Sequence, residues 1–146
     1  MGMLADMFAG HHKECDDLFA AAEAAAQDGA WDKAAPLWER YAAAMERHLS
    51  TEEGVLFPAF EDASGMRGGP TQVMRMEHTQ MRGLLQQAGQ AVAARDADGF
   101  GGACETLNIL MQQHNMKEEN ILYPMCDRAV GSNAALVQQL REKLGK

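Results

Sequence analysis

The residues best placed to do chemistry lie in two copies of one motif. His48 to Pro58 reads His-Leu-Ser-Thr-Glu-Glu-Gly-Val-Leu-Phe-Pro, and His114 to Pro124 reads His-Asn-Met-Lys-Glu-Glu-Asn-Ile-Leu-Tyr-Pro. Both copies follow H-x3-E-E-x2-L-[FY]-P, 66 residues apart. On an α-helix, residues four apart lie on one face, one turn and ~6 Å apart along the axis. His48 with Glu52, and His114 with Glu118, can therefore each hold a cation through an imidazole nitrogen and a carboxylate oxygen.

The repeat extends beyond the motif. His12, Cys15, Leu18 and Phe19 align with His78, Met81, Leu84 and Leu85, and Met45 aligns with Met111. His12 precedes His48 by 36 residues, and His78 precedes His114 by the same interval. A duplicated helix pair follows, which closes into an up-and-down antiparallel four-helix bundle with a pseudo-two-fold axis. The all-α reading agrees with a composition rich in Ala, Glu, Gln, Leu and Met and free of long period-two Val/Ile/Thr runs.

The first helix is placed at about Leu4 to Ala26, stopping at Asp28-Gly29. The second starts near Asp32 as N-cap and runs through His48, and Pro58 is expected to kink or end it. Asp62 to Pro70, with three glycines, reads as the linker between halves. The third helix spans about Thr71 to Ala94. The fourth begins near Asp98 and Gly99, passes through Pro124 and ends before Gly131. Ser132 is a candidate cap for a short C-terminal helix reaching Leu144.

Steps of three and four along each helix give inward stripes. These are Phe8-His12-Cys15-Phe19-Ala22, Trp38-Tyr41-Met45-His48-Glu52-Val55, Met74-His78-Met81-Leu85-Ala88-Val92, and Cys104-Leu107-Met111-His114-Glu118-Ile121. The stripes are apolar except at His12, His48, Glu52, His78, His114 and Glu118. Burying carboxylates without a partner costs several kcal/mol, so six such groups meeting in a core call for cations. By the pseudo-symmetry, His12 and His48 serve one ion, His78 and His114 the other, and Glu52 and Glu118 bridge them. Nitrogen and carboxylate donors suit iron, manganese and zinc, and redox chemistry requires one of the first two. Six protein ligands leave positions open on octahedral ions for a small molecule such as dioxygen, nitric oxide or peroxide.

With 146 residues, the chain reads as a single domain over 1–146, long enough for a core without disulfides. The net charge of −8 and the absence of a basic stripe argue against nucleic acid and anionic membrane as partners. No apolar run approaches the ~20 residues of a spanning helix, and Met1 opens directly into an amphipathic pattern rather than a leader. Three widely spaced cysteines, Cys15, Cys104 and Cys126, suit free thiols in a reducing cytoplasm.

At the residues of the repeat, H-(x35)-H-x3-E-E-x2-L-F-P followed by H-(x35)-H-x3-E-E-x2-L-Y-P, the sequence resembles the hemerythrin-like, or HHE cation-binding, family, in its bacterial branch. The resemblance spans Phe8 to Met125. It implies a four-helix bundle holding two iron ions (Fe2+/Fe3+) joined by an oxo or hydroxo bridge, with His12, His48, Glu52, His78, His114 and Glu118 as ligands. It also implies oxygen binding, iron or nitric oxide sensing, or a di-iron peroxidase or nitric oxide-reducing activity. A zinc or manganese module without redox function, acting through a protein partner, is the alternative. The electron donor is not identified by these residues. The sequence departs from oxygen-carrying hemerythrins at one place. They have a further histidine one turn from the first on the third helix, where this chain has Met74 and Arg82. That argues against five-histidine ligation and simple oxygen transport.

Several neighbours receive quieter readings. His11 points about 100° away from His12 and aligns with Glu77, so it reads as surface or as support behind the ligands. Glu53 and Glu119 read as flanking supports that could exchange roles with Glu52 and Glu118. Asp16 reads as polar surface or support. Cys15 and Tyr41 read as core, and the methionines mostly as core filler, with Met45, Met81 and Met111 nearest any ligand pocket.

Overall fold

The computed structural model describes residues 2–146; Met1, where the sequence was searched for a leader, lies outside them. Seven α-helices follow one another: α1 (Met3–Gln27), α2 (Trp31–Thr51), α3 (Phe57–Ser64), α4 (Pro70–Ala93), α5 (Ala97–Lys117), α6 (Tyr123–Val130) and α7 (Ala134–Lys143). Two five-residue π-helical segments, Glu52–Leu56 and Glu118–Leu122, join α2 to α3 and α5 to α6. There is no strand among the described residues, and no helix is long and apolar enough to cross a membrane. The result is four long rods, α1, α2–α3, α4 and α5–α6, with α7 packed across one end.

Short reversals set the antiparallel topology. The α1–α2 turn is closed by bonds from Gly29 N–H to Ala26 C=O and from Ala30 N–H to Ala25 C=O. The α4–α5 turn repeats the pattern, with Arg95 N–H to Val92 C=O and Asp96 N–H to Ala91 C=O. α1 packs along α2, α4 along α5, and α2 against α4, while α1 also meets α5 and α6. The rods therefore form a closed ring.

Two apolar cores fill the bundle. One gathers Phe19, Trp38, Tyr41, Met45, Met81, Leu85, Phe100, Leu107 and Met111 toward the turn end. The other gathers Leu4, Phe8, Leu56, Phe57, Phe60, Leu122 and Tyr123 with Leu136, Val137 and Leu140 of α7. Between them lies one polar layer, buried on every side. Along α1, Phe8 belongs to the second core, Cys15 to the first, and His12 to the layer.

The expected boundaries need three corrections. α2 begins at Trp31 after Ala30, so Asp32 lies inside the first turn rather than at the cap. α5 begins at Ala97, beside Asp98 and Gly99 as expected, and is capped by Asp96, whose Oδ1 accepts from Gly99 N–H at 3.0 Å. α7 is capped by Asn133, not Ser132, with Leu136 N–H donating to its side chain at 3.1 Å. In each case the cap is the residue with extended or otherwise non-helical backbone just before the helix. Pro58, finally, does not end the rod. It sits at the start of α3, where a missing N–H is harmless, because the π segment before it resets the hydrogen-bond register.

The π segments also correct the end of the inward stripes. In each, the hydrogen bond spans five residues: Phe57 N–H donates to Glu52 C=O, and Tyr123 N–H to Glu118 C=O. After the carboxylate the inward face therefore passes to Leu56 and Phe57, and to Leu122 and Tyr123. Val55 is only half-buried, and Ile121 is 56% exposed. The methionines divide as well: Met7, Met45, Met74, Met81 and Met111 are core, but Met3, Met66, Met76 and Met116 are exposed.

Candidate metal centre

All six stripe residues meet in the polar layer. His12, His48, His78, His114, Glu52 and Glu118 are each at most 4% exposed. One donor atom from each of Glu52, His78, His114 and Glu118 lies within 4.8 Å of the others, and the same holds for His12, His48 and Glu118. Glu52 spans the two groups, with Oε2 3.5 Å from His48 Nε2 and Oε1 3.2 Å from His78 Nε2. Glu118 Oε1 lies 3.1 Å from His12 Nε2 and 3.2 Å from His114 Nε2. Adjacent ligands on an octahedral ion with bonds of ~2.1 Å lie about 3.0 Å apart. The observed separations, 3.1 to 3.5 Å, are close to such edges.

The donor set fits a cation on a second ground. His78 Nε2, His114 Nε2, Glu52 Oε1 and Glu118 Oε2 are buried and have no hydrogen-bond partner among the described residues. Leaving such groups unpaired costs a folded protein several kcal/mol, and a shared cation removes that cost.

Each histidine is held from behind through Nδ1. His12 Nδ1 donates to Glu119 at 2.7 Å, His78 Nδ1 to Glu53 at 2.8 Å, and His114 Nδ1 to Glu77 at 2.8 Å. His48 Nδ1 instead meets His11 Nδ1 at 2.8 Å, with the two rings stacked. A bond at Nδ1 fixes the ring and its tautomer and turns the Nε2 lone pair toward the layer. Outward again, Arg82 grips Glu53 at 2.9 and 3.0 Å, and Lys117 grips Glu77 at 2.5 Å. Arg82, at a position where a fifth histidine was sought, therefore holds the carboxylate that holds His78. Met74 on the other side is buried core.

Electrostatics follow these partners. Burial works against charging His12 and His114. For His12, hydrogen bonds to Glu118 and Glu119 outweigh it, and for His114 the charges of Glu118 and Glu52 and the bond to Glu77 do so; both pKa values are held up at about 9. His48, fully enclosed and backed by another imidazole, is pushed down, mainly by burial. His11 falls to about 3 from burial and the neighbouring His48, and is neutral. Burial disfavours the Glu52 carboxylate, but His48 and His78 outweigh that and hold it well below the usual range.

Of the quieter readings, Glu53 and Glu119 are the supports expected of them. Cys15 and Tyr41 are core; burial pushes the Cys15 thiol up to about 12, far from a reactive thiolate. Asp16 touches Gln112 at 3.4 Å and lies apart from the layer. Of the two readings of His11, support behind the ligands is the one that holds: it is 3% exposed and backs His48. Two residues escaped the sequence reading. Glu77 was visible only as the repeat partner of His11. Tyr123 is the larger omission. Its hydroxyl lies 2.5 Å from Glu52 Oε2, 2.8 Å from Glu118 Oε1 and 3.2 Å from both His12 Nε2 and His48 Nε2. Burial and the two carboxylates push its phenol well above the ordinary range.

Fold and layer together define a helical bundle with a buried histidine–carboxylate cluster able to bind metal. The family model described as the hemerythrin HHE cation-binding domain matches residues 3–126, and the chain belongs to that family. No curated protein and no solved structure matches the chain.

Proposed function

We propose that the chain is a non-haem di-iron protein of the cytoplasm that binds, senses or reacts with dioxygen, nitric oxide or peroxide. The observation that carries this reading is the convergence of four Nε2 atoms on two buried carboxylates, with every imidazole braced from behind through Nδ1. His12, His48 and Glu118 would hold one ion, and His78, His114, Glu52 and Glu118 the other. Glu52, with one oxygen toward each group, completes the bridge. The single domain spans the whole chain, with α7 closing the end of the bundle over the site.

Iron would supply redox chemistry to a site whose protein groups set its conditions. Three carboxylates behind the histidines make the imidazoles more basic donors and favour the higher charge on the ions. The two apolar cores exclude water from both sides of the layer, so charge interactions there are strong. Free, buried thiols suit a reducing compartment.

Metal analysis and a visible spectrum of the purified, aerobically iron-loaded protein test the reading. Two irons per chain are expected, with ferric charge-transfer bands that change on addition of azide or nitric oxide. A colourless protein holding only zinc overturns it.

A further inference from the structure

The repeat predicts two equivalent ion positions, and the layer is symmetric in its histidines and carboxylates. It is not symmetric at the residue after each π segment. Phe57 in the first half stacks on His78 at 5.7 Å between ring centroids and offers no donor atom. Its counterpart Tyr123 places a hydroxyl oxygen against four donor atoms at once.

Those four distances carry the argument. Two of the four neighbours, His12 Nε2 and His48 Nε2, are the nitrogens of one ion position, and the other two are oxygens of the bridging carboxylates. Donors that would share one octahedral ion lie about 3 Å apart, and an oxygen 2.5 to 3.2 Å from four of them is within reach of the ion they would hold. The π segment explains how the side chain arrives there. Five residues along an α-helix rotate a side chain about 140° away, whereas a five-residue hydrogen bond sets Tyr123 over Glu118. Phe8, 5.2 Å away between centroids, and His12, at 5.6 Å, hold the phenol ring from its flanks. The ring belongs to the apolar core under α7, with no exposed surface.

Resting on the di-iron reading, we propose that Tyr123 is a ligand, through its phenolate oxygen, of the ion held by His12 and His48. The two ions are then unlike. One carries a phenolate and is closed at that vertex. The other, beside Phe57, keeps its open positions for the small molecule. On binding, the phenol O–H bond breaks, an oxygen–iron bond forms, and the proton leaves to solvent with no change in electron count.

Resonance Raman spectroscopy of the diferric protein tests this, with iron content measured alongside. The wild type should show phenolate ring modes enhanced in a visible charge-transfer band. Tyr123→Phe should retain two irons per chain and lose both band and modes. The chain has only two tyrosines, and Tyr41→Phe, in the other core, should leave the modes unchanged. Should Tyr123→Phe fail to fold, wild-type protein grown on ring-deuterated tyrosine should show the same modes shifted. Two ferric ions without phenolate modes, or modes surviving in Tyr123→Phe, overturn the ligand assignment and leave the di-iron reading standing. Absence of iron from the wild type overturns both.

Discussion

The two halves of this molecule, α1 to α3 and α4 to α6, are built to one plan and finished differently. Each supplies two histidines, a bridging carboxylate and a following carboxylate at matching positions. The supports behind them diverge. In the second half, His114 is backed by Glu77 and His78 by Glu53, and a surface cation, Lys117 or Arg82, holds each of those carboxylates. In the first half, His48 is backed by neutral His11, and Asp16 stands where the second half has Arg82. Duplication thus preserved the groups that face the layer and let the groups behind them drift, so equivalent histidines have unlike basicity.

The largest break in the comparison should come from the shared carboxylate. Glu118 belongs to both donor groups, so Glu118→Ala should reduce metal content from two ions to one or none. It should also lower the melting temperature of the metal-loaded protein, since the imidazoles it compensated stay buried. Full metal occupancy in that variant would refute the assignment. Removing metal from the wild type should act in the same direction, costing about 3 kcal/mol per ion at a hundredfold excess over Kd. An unchanged melting temperature after chelation would count against a site that matters to the fold.

The metal-free protein sharpens the contrast through pH. His114 titrates high, at about 9, and His48 low. A group whose folded pKa is raised stabilises the fold fully below its unfolded value of ~6.5 and loses that contribution as pH rises through the folded value. Metal-free stability should therefore decline between about pH 6.5 and 9, with His12 contributing in the same sense. Replacing the neutral support, His11→Glu, should raise the His48 titration toward that of His114, as followed by imidazole proton NMR. No movement of His48 would show that burial alone sets it. With metal present, Glu77→Ala should weaken iron affinity by about 10- to 100-fold. His11→Ala should weaken it less, because it removes a neutral partner; equal losses would erase the proposed difference between the halves.

The smallest effects lie in the two interhelical turns, which trade their defects. The first turn has Gly29 at φ 70°, where glycine carries no penalty, but enters α2 from Ala30 with no side-chain cap. The second enters α5 from the capping Asp96 but forces Arg95 to φ 54°. Ala30→Asp and Arg95→Gly should each stabilise by about 1 kcal/mol, or 2–4 °C in Tm, the second less the exposed ion pair that Arg95 makes with Asp32. A fall in Tm for either would show that its turn is governed by something other than these local terms.

How much of this was legible beforehand follows from helix geometry. The six layer residues, the duplication and the four rods were readable because the 3.6-residue period holds from His12 through Glu118 wherever the helix is α. Legibility stopped at Glu52 and Glu118. Past them, an α-helical wheel points Val55 and Ile121 inward, but the π segments rotate the face and bring in Phe57 and Tyr123. For His11 the sequence leaves surface and support both open. A wheel drawn for α1 alone cannot show the C-terminal segment that covers it, where Lys146 Nζ lies 3.4 Å from Glu14. The caps were blurred because Asp32 and Ser132 are plausible caps by residue type, and only backbone dihedrals pass the position to Ala30 and Asn133.

The direction in which the supporting carboxylates reach has a consequence of its own. Glu53 of the first half holds His78 of the second, and Glu119 of the second holds His12 of the first. Neither half braces both of its own imidazoles unaided. The arrangement has the form of an isologous dimer whose two subunits have been joined through Gly65–Gly69. Two copies of such a helix pair, facing each other across a two-fold axis, would bring the same four imidazoles and two carboxylates together. Fusion then freed each copy to change alone, and a phenol on one side with a phenyl ring on the other is an outcome that a symmetric dimer could never encode.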